Sequence, residues 1–351
     1  MQLLALTEGD DHVCYRYRVA PFAPALQKAG WQLHCEPLAK GAWARWRQLR
    51  RAGQADAVLL QRKLLPWWQL RALRRSAKTL VFDFDDAIFH RDSYHPKGIV
   101  NWQRMAHFWT TVYAADLVLA GNRYLYDQAA AFIGPERVRL VPTCVEPRKY
   151  PLAEHAADGV LKLVWIGQRS TMRSLYQMHE PLLAAAAAVR FDLHVISDVF
   201  PDLAGVRVRP MAWSETTETA QLAGADIGIS WLPDDRWSRG KCGLKVLQYM
   251  AAGLPVVANR VGVHVEIIVD GVTGFLADTP EEWRAAVERL SNDAGLRASM
   301  GAAARRRVED EYSVARWEKP FAEAIDALLQ PKHDLTRRVG PASLRAPAHH
   351  V

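Results

Sequence analysis

Short continuous runs of apolar residues alternate with helical patterns along the whole chain. Such runs are typical of parallel strands that helices cover on both faces, because neither side of the sheet then faces water. The pattern predicts strands at residues 3–6, 57–60, 79–84, 117–120 and 138–141 in the first half, and at 161–166, 191–196, 206–208, 227–230 and 256–258 in the second. The sequence therefore predicts an α/β fold with doubly wound parallel sheets.

The length and the break in this pattern predict two domains. A chain of 351 residues is long for one core, and residues 142–159 hold three prolines without an apolar period, as an interdomain linker would. We expect two facing Rossmann-like domains, residues 1–150 and 151–330. The helical stretch 314–329 has no strand after it and could pack back across the domain junction. The tail, residues 331–351, is rich in Pro, Arg and His and is expected to be disordered.

Composition narrows the cellular setting. The longest apolar runs are far shorter than the roughly 20 residues of a membrane span, so no span is expected. The chain begins with a strand-like run that lacks the features of a secretion signal, so a cytoplasmic location is expected. Four cysteines (Cys14, Cys35, Cys144 and Cys242) have no short paired spacing, which argues against a zinc knuckle or a redox pair.

Basic and aromatic residues are concentrated in one part of the first half. The net charge of +7 suggests anionic partners but does not distinguish nucleic acid, acidic lipid and sugar nucleotide. Between residues 43 and 78, four tryptophans are interleaved with many cations: Trp43, Trp46, Trp67 and Trp68, with Arg45, Arg47, Arg50, Arg51, Lys63, Arg71, Arg74, Arg75 and Lys78 among them. This pattern predicts helices docked on an anionic membrane surface. Ordinary solvated helices with inward-packed tryptophans are the alternative.

Residues 240–258 carry the most informative chemistry. They predict a loop, a helix, a Gly-Leu-Pro turn and a buried strand, and helical spacing puts Lys241, Lys245 and Gln248 on one face, opposite an apolar face. Cations near a helix N-terminus suit a phosphate, because free backbone N–H groups there already favour an anion. Gln248 could bond sugar hydroxyls. A solvated helix face is the alternative.

This segment resembles the donor-site signature of glycosyltransferase family 4. In that family a Glu, seven residues and a second Glu precede an Ala-rich, Met-containing helix and a Gly-Leu-Pro-Val-Val-Ala strand. The resemblance implies the GT-B fold, a nucleotide-diphosphate sugar donor, retention of the anomeric configuration, and a contact between Lys245 and the donor diphosphate. Gly240 and Gln248 stand at the two Glu positions. The resemblance assigns the first Glu to the sugar or the reaction centre and the second to the ribose, a role that the Gln248 amide can keep and Gly240 cannot.

Two further segments resemble the family in the expected order. Residues 163–171 resemble the first strand and loop of its nucleotide domain, where a glycine lets the backbone approach a phosphate and Arg or hydroxyl side chains bind it. Residues 261–276 resemble its next loop and helix. The candidate donor-binding residues from these segments are Gly167, Arg169, Ser170, Thr171, His264 and Glu266. For His264, a solvated loop histidine is the alternative.

The predicted strand 79–84 ends in the acidic residues Asp85 and Asp86. Ligands of open α/β sheets bind at the carboxyl ends of the strands, so these carboxylates should face the cleft. There they could hydrogen-bond an acceptor hydroxyl or accept its proton. Capping of the next helix is the alternative. Arg16, Arg18 and His90 are candidate contacts to the acceptor or to phosphate, and surface salt bridges are the alternative for the two arginines.

These observations predict a glycosyltransferase that moves a sugar from a UDP- or GDP-linked donor to a hydroxyl acceptor, such as a cell-envelope glycan or a lipid-linked precursor. Arg169, Lys245 and Lys241 would stabilise the departing diphosphate in place of a metal. We expect no further cofactor and no nucleic-acid partner. We expect peripheral attachment to the inner face of the cell membrane. One alternative is an inactive nucleotide-sugar-binding subunit, because the acidic pair is missing. Another is a haloacid-dehalogenase-like phosphatase, because residues 82–87 imitate its nucleophile motif.

Overall fold

The computed structural model describes residues 1–9, 12–157 and 159–328. The described residues form two six-stranded sheets in which all neighbouring strands are parallel. The first sheet consists of β1 (Gln2–Thr7), β2 (Gln32–Pro37), β3 (Ala57–Gln61), β4 (Leu80–Phe84), β5 (Leu117–Ala120) and β6 (Val138–Leu140). The second consists of β7 (Leu161–Ile166), β8 (Phe191–Ser197), β9 (Val208–Ala212), β10 (Ile227–Ser230), β11 (Val256–Ala258) and β12 (Gly274–Leu276).

Helices form most of the connections between consecutive strands, as is usual for parallel sheets, although none of the described residues between β8 and β9 is helical. Those before the second sheet are α1 (Val13–Arg18), α2 (Ala23–Lys28), α3 (Ala42–Arg51), α4 (Trp67–Ser76), α5 (Trp102–Ala114) and α6 (Arg123–Ile133). The later ones are α7 (Met172–Gln177), α8 (His179–Ala186), α9 (Glu218–Ala223), α10 (Leu244–Ala251), α11 (His264–Ile267), α12 (Pro280–Asn292), α13 (Ala294–Arg307) and α14 (Val314–Asp326).

The strand order places a reversal point in each sheet. The first sheet has the order β2-β1-β3-β4-β5-β6, and the second has the order β12-β11-β10-β7-β8-β9. The chain reverses its direction of travel between β1 and β3 in the first sheet and between β7 and β10 in the second. Open α/β sheets bind ligands outside the carboxyl ends of the strands at such reversals.

The α/β prediction with parallel sheets is confirmed, and its misses have a common cause. β2 was not predicted, because it is an edge strand whose side chains alternate between partly buried and exposed positions, with no continuous apolar run. β9 was predicted at 206–208 but spans Val208–Ala212. It is an edge strand of the second sheet, and most of its residues are exposed. Edge strands have fewer buried neighbours, so the apolar pattern that identifies central strands is absent.

The C-terminal helix α14 packs on the first sheet's helices rather than beside the second sheet. The Phe321 ring stacks on the Phe22 ring with centroids 4.4 Å apart, and the indole of Trp31 donates a hydrogen bond to Asp326. Ser313 and Val145 form an isolated parallel bridge just before the helix. The chain therefore crosses back over the domain junction in α14. This helix packs on the first domain, although it lies within residues 151–330, the range predicted for the second domain.

Two further features of the described residues are the length of the helices and the state of the cysteines. None of the described helices is long and apolar enough to cross a membrane. All four cysteines are free thiols. The predicted disordered tail, residues 331–351, lies outside the described residues.

Removing the Phe321 side chain should destabilise the first domain, although the residue lies far from it in sequence. Phe321 is fully buried, so Phe321→Ala leaves a cavity and should lower the free energy of unfolding by about 3–5 kcal/mol. Denaturant unfolding measures this loss. Phe200→Ala is the matched control, because Phe200 is 43% exposed. Equal stability of the two variants would contradict this packing of α14.

Candidate active site in the cleft between the two sheets

Loops at the carboxyl ends of both sheets meet in a cleft. The Lys241 ammonium lies 2.9 Å from an Asp86 carboxylate oxygen, and the Asn122 amide donates to the Lys241 carbonyl at 2.9 Å. Farther along the cleft, the Tyr94 hydroxyl donates to the Gln177 side chain at 2.9 Å. Residues from the two halves of the chain are thus in direct contact where both sheets have their ligand-binding edges.

Lys245 lies in the first turn of α10 and points toward the loop after β7. Its Nζ lies 4.0 Å from the centroid of the Trp165 ring and donates to the Thr171 hydroxyl at 3.4 Å. Trp165 is fully buried. Among the described residues, no carboxylate lies within ion-pair distance of this ammonium. The partners recorded for this ammonium in the described part of the chain are thus a ring face and a hydroxyl, and neither carries a negative charge.

Burial, with Lys241 nearby, lowers the pKa of Lys245 to about 7. Both causes act in the same direction, since desolvation and a neighbouring cation each disfavour the protonated form. An anion bound beside the ammonium would reverse both effects. The position is therefore suited to a ligand that brings negative charge.

Gly167 gives the loop after β7 its close approach to Trp165. A Cβ at this position would lie 2.3 Å from the Trp165 ring and 2.6 Å from the Thr171 hydroxyl. Thr171 also accepts from the Gln168 amide at 3.1 Å, which fixes the loop. The absence of a side chain at Gly167 thus lets the indole and the hydroxyl reach Lys245.

Lys241 does not share the helix with Lys245. The predicted helix included Lys241, but α10 begins at Leu244, and Lys241 follows a short 3-10 turn with extended backbone. Gly243, with φ of 69°, separates the two segments. Lys241 instead lies over the Trp237 ring at 4.8 Å and pairs with Asp86. It therefore connects the second domain's side of the cleft to the first domain.

Gln248 is buried in a polar cluster that joins the two domains. Its amide donates to the hydroxyls of Tyr17 at 3.2 Å and Tyr150 at 3.3 Å. The Tyr17 hydroxyl donates to Glu218 at 3.1 Å, and the Trp213 indole donates to the same carboxylate at 2.7 Å. Sequence reasoning did not find Tyr17, Tyr150 or Glu218, because nothing in their local pattern shows that they meet.

Asp85 and Asp86 follow β4, and Asp86 reaches the second domain through its pair with Lys241. The helix-capping alternative is wrong, because Asn101 caps α5 and its side chain accepts from the Arg104 amide. Both carboxylates instead contact Arg62, the residue directly after β3. Arg62 was not predicted, although the rule that selected Asp85, a polar residue directly after a buried strand, applies to it equally.

The two arginines after β1 have different surroundings. The Arg18 guanidinium is buried, donates to both carboxylate oxygens of Asp83, and also donates to the Val141 carbonyl at 2.9 Å. Arg16 forms an ion pair with Glu215 of the second domain at 2.7 Å. The surface salt bridge weighed for Arg18 is wrong, because its pair with Asp83 lies in the interior.

The buried Arg18–Asp83 pair also bears on the phosphatase alternative that residues 82–87 suggested. Asp83 would be the first Asp of the imitated phosphatase motif, yet its side chain is 1% exposed and held by Arg18. Among the described residues, no group of three or more His, Cys, Asp or Glu side chains is arranged to hold a metal ion. Asp83 is therefore a structural residue here.

The remaining candidates differ in their access to the cleft. His264 is buried, with its Nδ1 donating to the Asn259 carbonyl at 3.0 Å and its Nε2 accepting from the Ser230 hydroxyl at 3.0 Å. Burial, with Lys245 nearby, lowers the pKa of His264 to about 4, so the ring is neutral. The solvated-loop alternative for His264 is therefore wrong. His90 is buried, and its Nδ1 has no hydrogen-bond partner among the described residues.

Arg169, Ser170 and Glu266 are exposed. The Arg169 amide donates to Asp198 at 3.0 Å. Glu266 lines a cavity of about 260 Å³ together with residues of both domains, among them Asn122 and Pro142. A larger groove of about 650 Å³ is formed by residues of β1, β2 and α3 and includes none of the candidate residues. The chemistry of the cleft, rather than cavity volume, identifies the site.

Comparison with known proteins supports the resemblance of the second domain to glycosyltransferases. Residues 234–307 match the family model "Glycosyl transferases group 1". The D-inositol 3-phosphate glycosyltransferase of Paenarthrobacter aurescens is 37% identical over 95 residues, which cover 26% of this chain and 23% of the relative. The alpha-1,3/1,6-mannosyltransferase ALG2 of Dictyostelium discoideum is 34% identical over 89 residues, which cover 25% and 20%. The matches thus span about a quarter of this chain and less than a quarter of either relative.

Solved structures match over nearly the whole chain. The sucrose-phosphate synthase of Thermosynechococcus elongatus has a TM-score of 0.69 at 15% identity, with 93% of this chain and 98% of that chain covered. Anabaena Alr3699/HepE in complex with UDP and glucose has a TM-score of 0.67 at 14% identity, with 93% and 100% covered. The chain has the GT-B fold. Two facing Rossmann-like domains are thereby confirmed.

One position of this GT-B cleft departs from the family signature in an informative way. Gly240, which stands where family 4 has its first Glu, packs directly on the first domain: a Cβ there would lie 2.4 Å from the Ala87 amide nitrogen. A glutamate does not fit while the domains are arranged in this way. The neighbouring Asp86, from the first domain, nevertheless places a carboxylate beside Lys241. The cleft therefore has an acidic group close to the substituted position, supplied by the opposite domain.

Proposed function

We propose that this protein is a glycosyltransferase that moves a sugar from a nucleotide-diphosphate donor to a hydroxyl acceptor. The observation that carries the proposal is the Lys245 ammonium, which lacks a carboxylate partner among the described residues and lies over Trp165 in a GT-B cleft. Its segment matches the glycosyltransferase group 1 model. HepE, which shares the fold, is known in complex with UDP and glucose, and this supports a nucleotide sugar as the donor.

The donor diphosphate would lie between α10 and the loop after β7. Lys245 would contact the phosphates, and Arg169, with Ser170 and Thr171, would approach from the exposed side of the loop. These cations would stabilise the charge that develops on the leaving diphosphate, and we propose that no metal is needed for this. Gln248 would reach the ribose if donor binding opens its contacts with Tyr17 and Tyr150.

The first domain would supply the acceptor side. Asp85 and Asp86 stand at the carboxyl end of β4, and Asp86 pairs with Lys241 of the second domain, so a hydroxyl bound there would lie near the donor sugar. Either carboxylate could orient the hydroxyl or take its proton. Retention of the anomeric configuration follows from the resemblance to family 4, and closure of the domains would exclude water.

The alternative of an inactive nucleotide-sugar-binding subunit has one observation in its favour. Gly240 removes the acidic residue that the family signature has at this position, and the closed packing against Ala87 leaves no room for one. Both functions require donor binding, so only turnover separates them. Tight donor binding without hydrolysis or transfer over a broad panel of hydroxyl acceptors would favour the binding subunit.

Replacing Lys245 should remove most of the donor contact. We expect Lys245→Ala to lower kcat/KM on the order of 10²–10³-fold, because a preorganised charge on the leaving group is lost. Steady-state transfer kinetics with a UDP- and GDP-sugar panel would measure this. Lys319→Ala is the matched control, since the Lys319 side chain is 82% exposed on α14. Unchanged kinetics in Lys245→Ala would overturn the assignment of this lysine.

Donor binding should take up a proton at mildly alkaline pH. With its pKa near 7, Lys245 is mostly neutral at pH 8 in the free protein, and a diphosphate beside it should raise that pKa and protonate it. Affinity for UDP or GDP should therefore fall as pH rises above about 7. Isothermal titration calorimetry in buffers of different ionisation enthalpy measures the uptake, which Lys245→Met should abolish. A wild-type uptake that persists in Lys245→Met would assign the proton to another group.

The acceptor side of the cleft is bordered by exposed tryptophans. Trp43, Trp67 and Trp102 are 72%, 64% and 72% exposed, and each lies in the first turn of a helix that follows a strand of the first sheet. Neither α3 nor α4 contains an acidic residue, and their exposed cations are Arg47, Arg50, Arg51, Arg71 and Arg75. We propose that this face docks on an anionic membrane surface that presents a lipid-linked or envelope acceptor.

Vesicle binding tests this surface. The protein should co-sediment with phosphatidylcholine vesicles that contain phosphatidylglycerol and much less with phosphatidylcholine alone, because the arginines attract anionic headgroups. Trp43→Ala with Trp67→Ala should weaken binding. Tyr113→Ala is the control, because Tyr113 is 75% exposed near the opposite end of α5. Equal sedimentation with both vesicle types would reject the membrane surface without affecting the proposed reaction.

A further inference from the structure

Arg62 is placed where the first sheet reverses. It follows β3 directly, beside β1, so it lies at the carboxyl edge where open α/β sheets take their ligands. Its φ of 55° makes it the single non-glycine residue with positive φ in the described part of the chain. This backbone conformation disfavours any residue that has a Cβ, and it persists only where surrounding contacts hold it.

The contacts that hold Arg62 are all on the cleft side. Its backbone amide donates to the Asp83 carbonyl at 2.8 Å, one residue beyond the β3 ladder. Its guanidinium donates to Asp86 and to the Cys14 sulfur, and its Nε lies 3.4 Å from an Asp85 oxygen. One planar group thus contacts three side chains from two elements, which a lysine could not reproduce.

The charges around Arg62 form a network of two cations and two carboxylates. Asp86 is shared between Arg62 and Lys241, whereas Asp85 has Arg62 as its nearest cation. The charged and titratable groups that face Asp85 are Arg62, Arg18, Cys14 and Lys241. Burial alone would raise the pKa of Asp85, but the cations, with Arg62 the largest contributor, outweigh it and lower that pKa. The side chains of Asp85 and Asp86 are only 13% and 9% exposed, and Asp85 depends on these cations to stay charged.

We propose that Arg62 is a positioning residue that holds Asp85 and Asp86 at the cleft, with Asp86 linking it to Lys241 on the donor side. The proposal rests on the proposed function, in which these carboxylates serve the acceptor. Arg62 itself touches no reacting group. It acts through the two carboxylates. Its left-handed backbone conformation is the conformational cost of directing one guanidinium at both carboxylates.

Two substitutions separate the charge of Arg62 from its backbone. Asparagine tolerates positive φ, so Arg62→Asn should fold while removing the cation, and Arg62→Lys keeps the charge but not the planar fork. We expect Arg62→Asn to lower kcat on the order of 10-fold or more with a smaller change in donor KM. Because Asp85 loses its main cation, the acid limb of the pH–rate profile should move to higher pH. Arg62→Lys should restore part of this shift.

The matched control is Lys63→Asn, the neighbouring cation, which is 38% exposed and 3.6 Å from Glu8. It should leave kcat with a soluble acceptor and the acid limb unchanged. Thermal unfolding of each variant checks that it is folded. A folded Arg62→Asn with wild-type kcat and an unmoved acid limb would overturn the proposal.

A readout independent of turnover separates this proposal from the proposed function. Carboxyl ¹³C NMR titration of Asp85 should show a higher pKa in Arg62→Asn than in the wild type, whether or not transfer is observed. Absence of transfer by the wild type would count against the glycosyltransferase. An unchanged pKa of Asp85 in Arg62→Asn would count against Arg62 alone.

Discussion

The cleft is organised around a lysine ammonium that the protein desolvates without pairing it to a carboxylate. Trp165 and Thr171 are the groups nearest to Lys245, and neither carries a negative charge. A cation in such a position is costly, and its pKa falls accordingly. The fold keeps it there through Gly167, whose missing side chain admits the indole. An anionic ligand is the natural complement of this arrangement.

The opposite wall of the cleft follows the contrary rule, since nearly every buried charge on it is paired. Arg18 and Asp83 neutralise each other in the interior, and Arg62 and Lys241 together balance Asp85 and Asp86. Removing one member of such a pair leaves an uncompensated buried charge, which is far more destabilising than the pair itself is stabilising. The first domain therefore presents carboxylates that are already paired with cations, whereas Lys245 of the second has no recorded carboxylate partner among the described residues.

Contacts across the cleft couple these two walls. Lys241 reaches Asp86, and the buried amide of Gln248 reaches Tyr17. Gly240 lies against the backbone at Ala87, so the domains approach as closely as they do only because this position has no side chain. The substitution of the family's acidic residue by glycine and the delivery of Asp86 by the opposite domain are thus two aspects of one close contact.

The sequence by itself determined the central strands, the two-domain α/β plan, and the residues that follow strands or begin α10, because these depend on local apolar periodicity and on the geometry of parallel sheets. It could not supply the edge strands, whose exposure removes that periodicity, or the partners of each charge. Arg18 and Asp83 are 65 residues apart, and Gln248 and Tyr17 are 231 apart. Only the tertiary structure decided that Arg18 is neutralised while Lys245 is not, because pairing between side chains depends on which strands and domains are brought together.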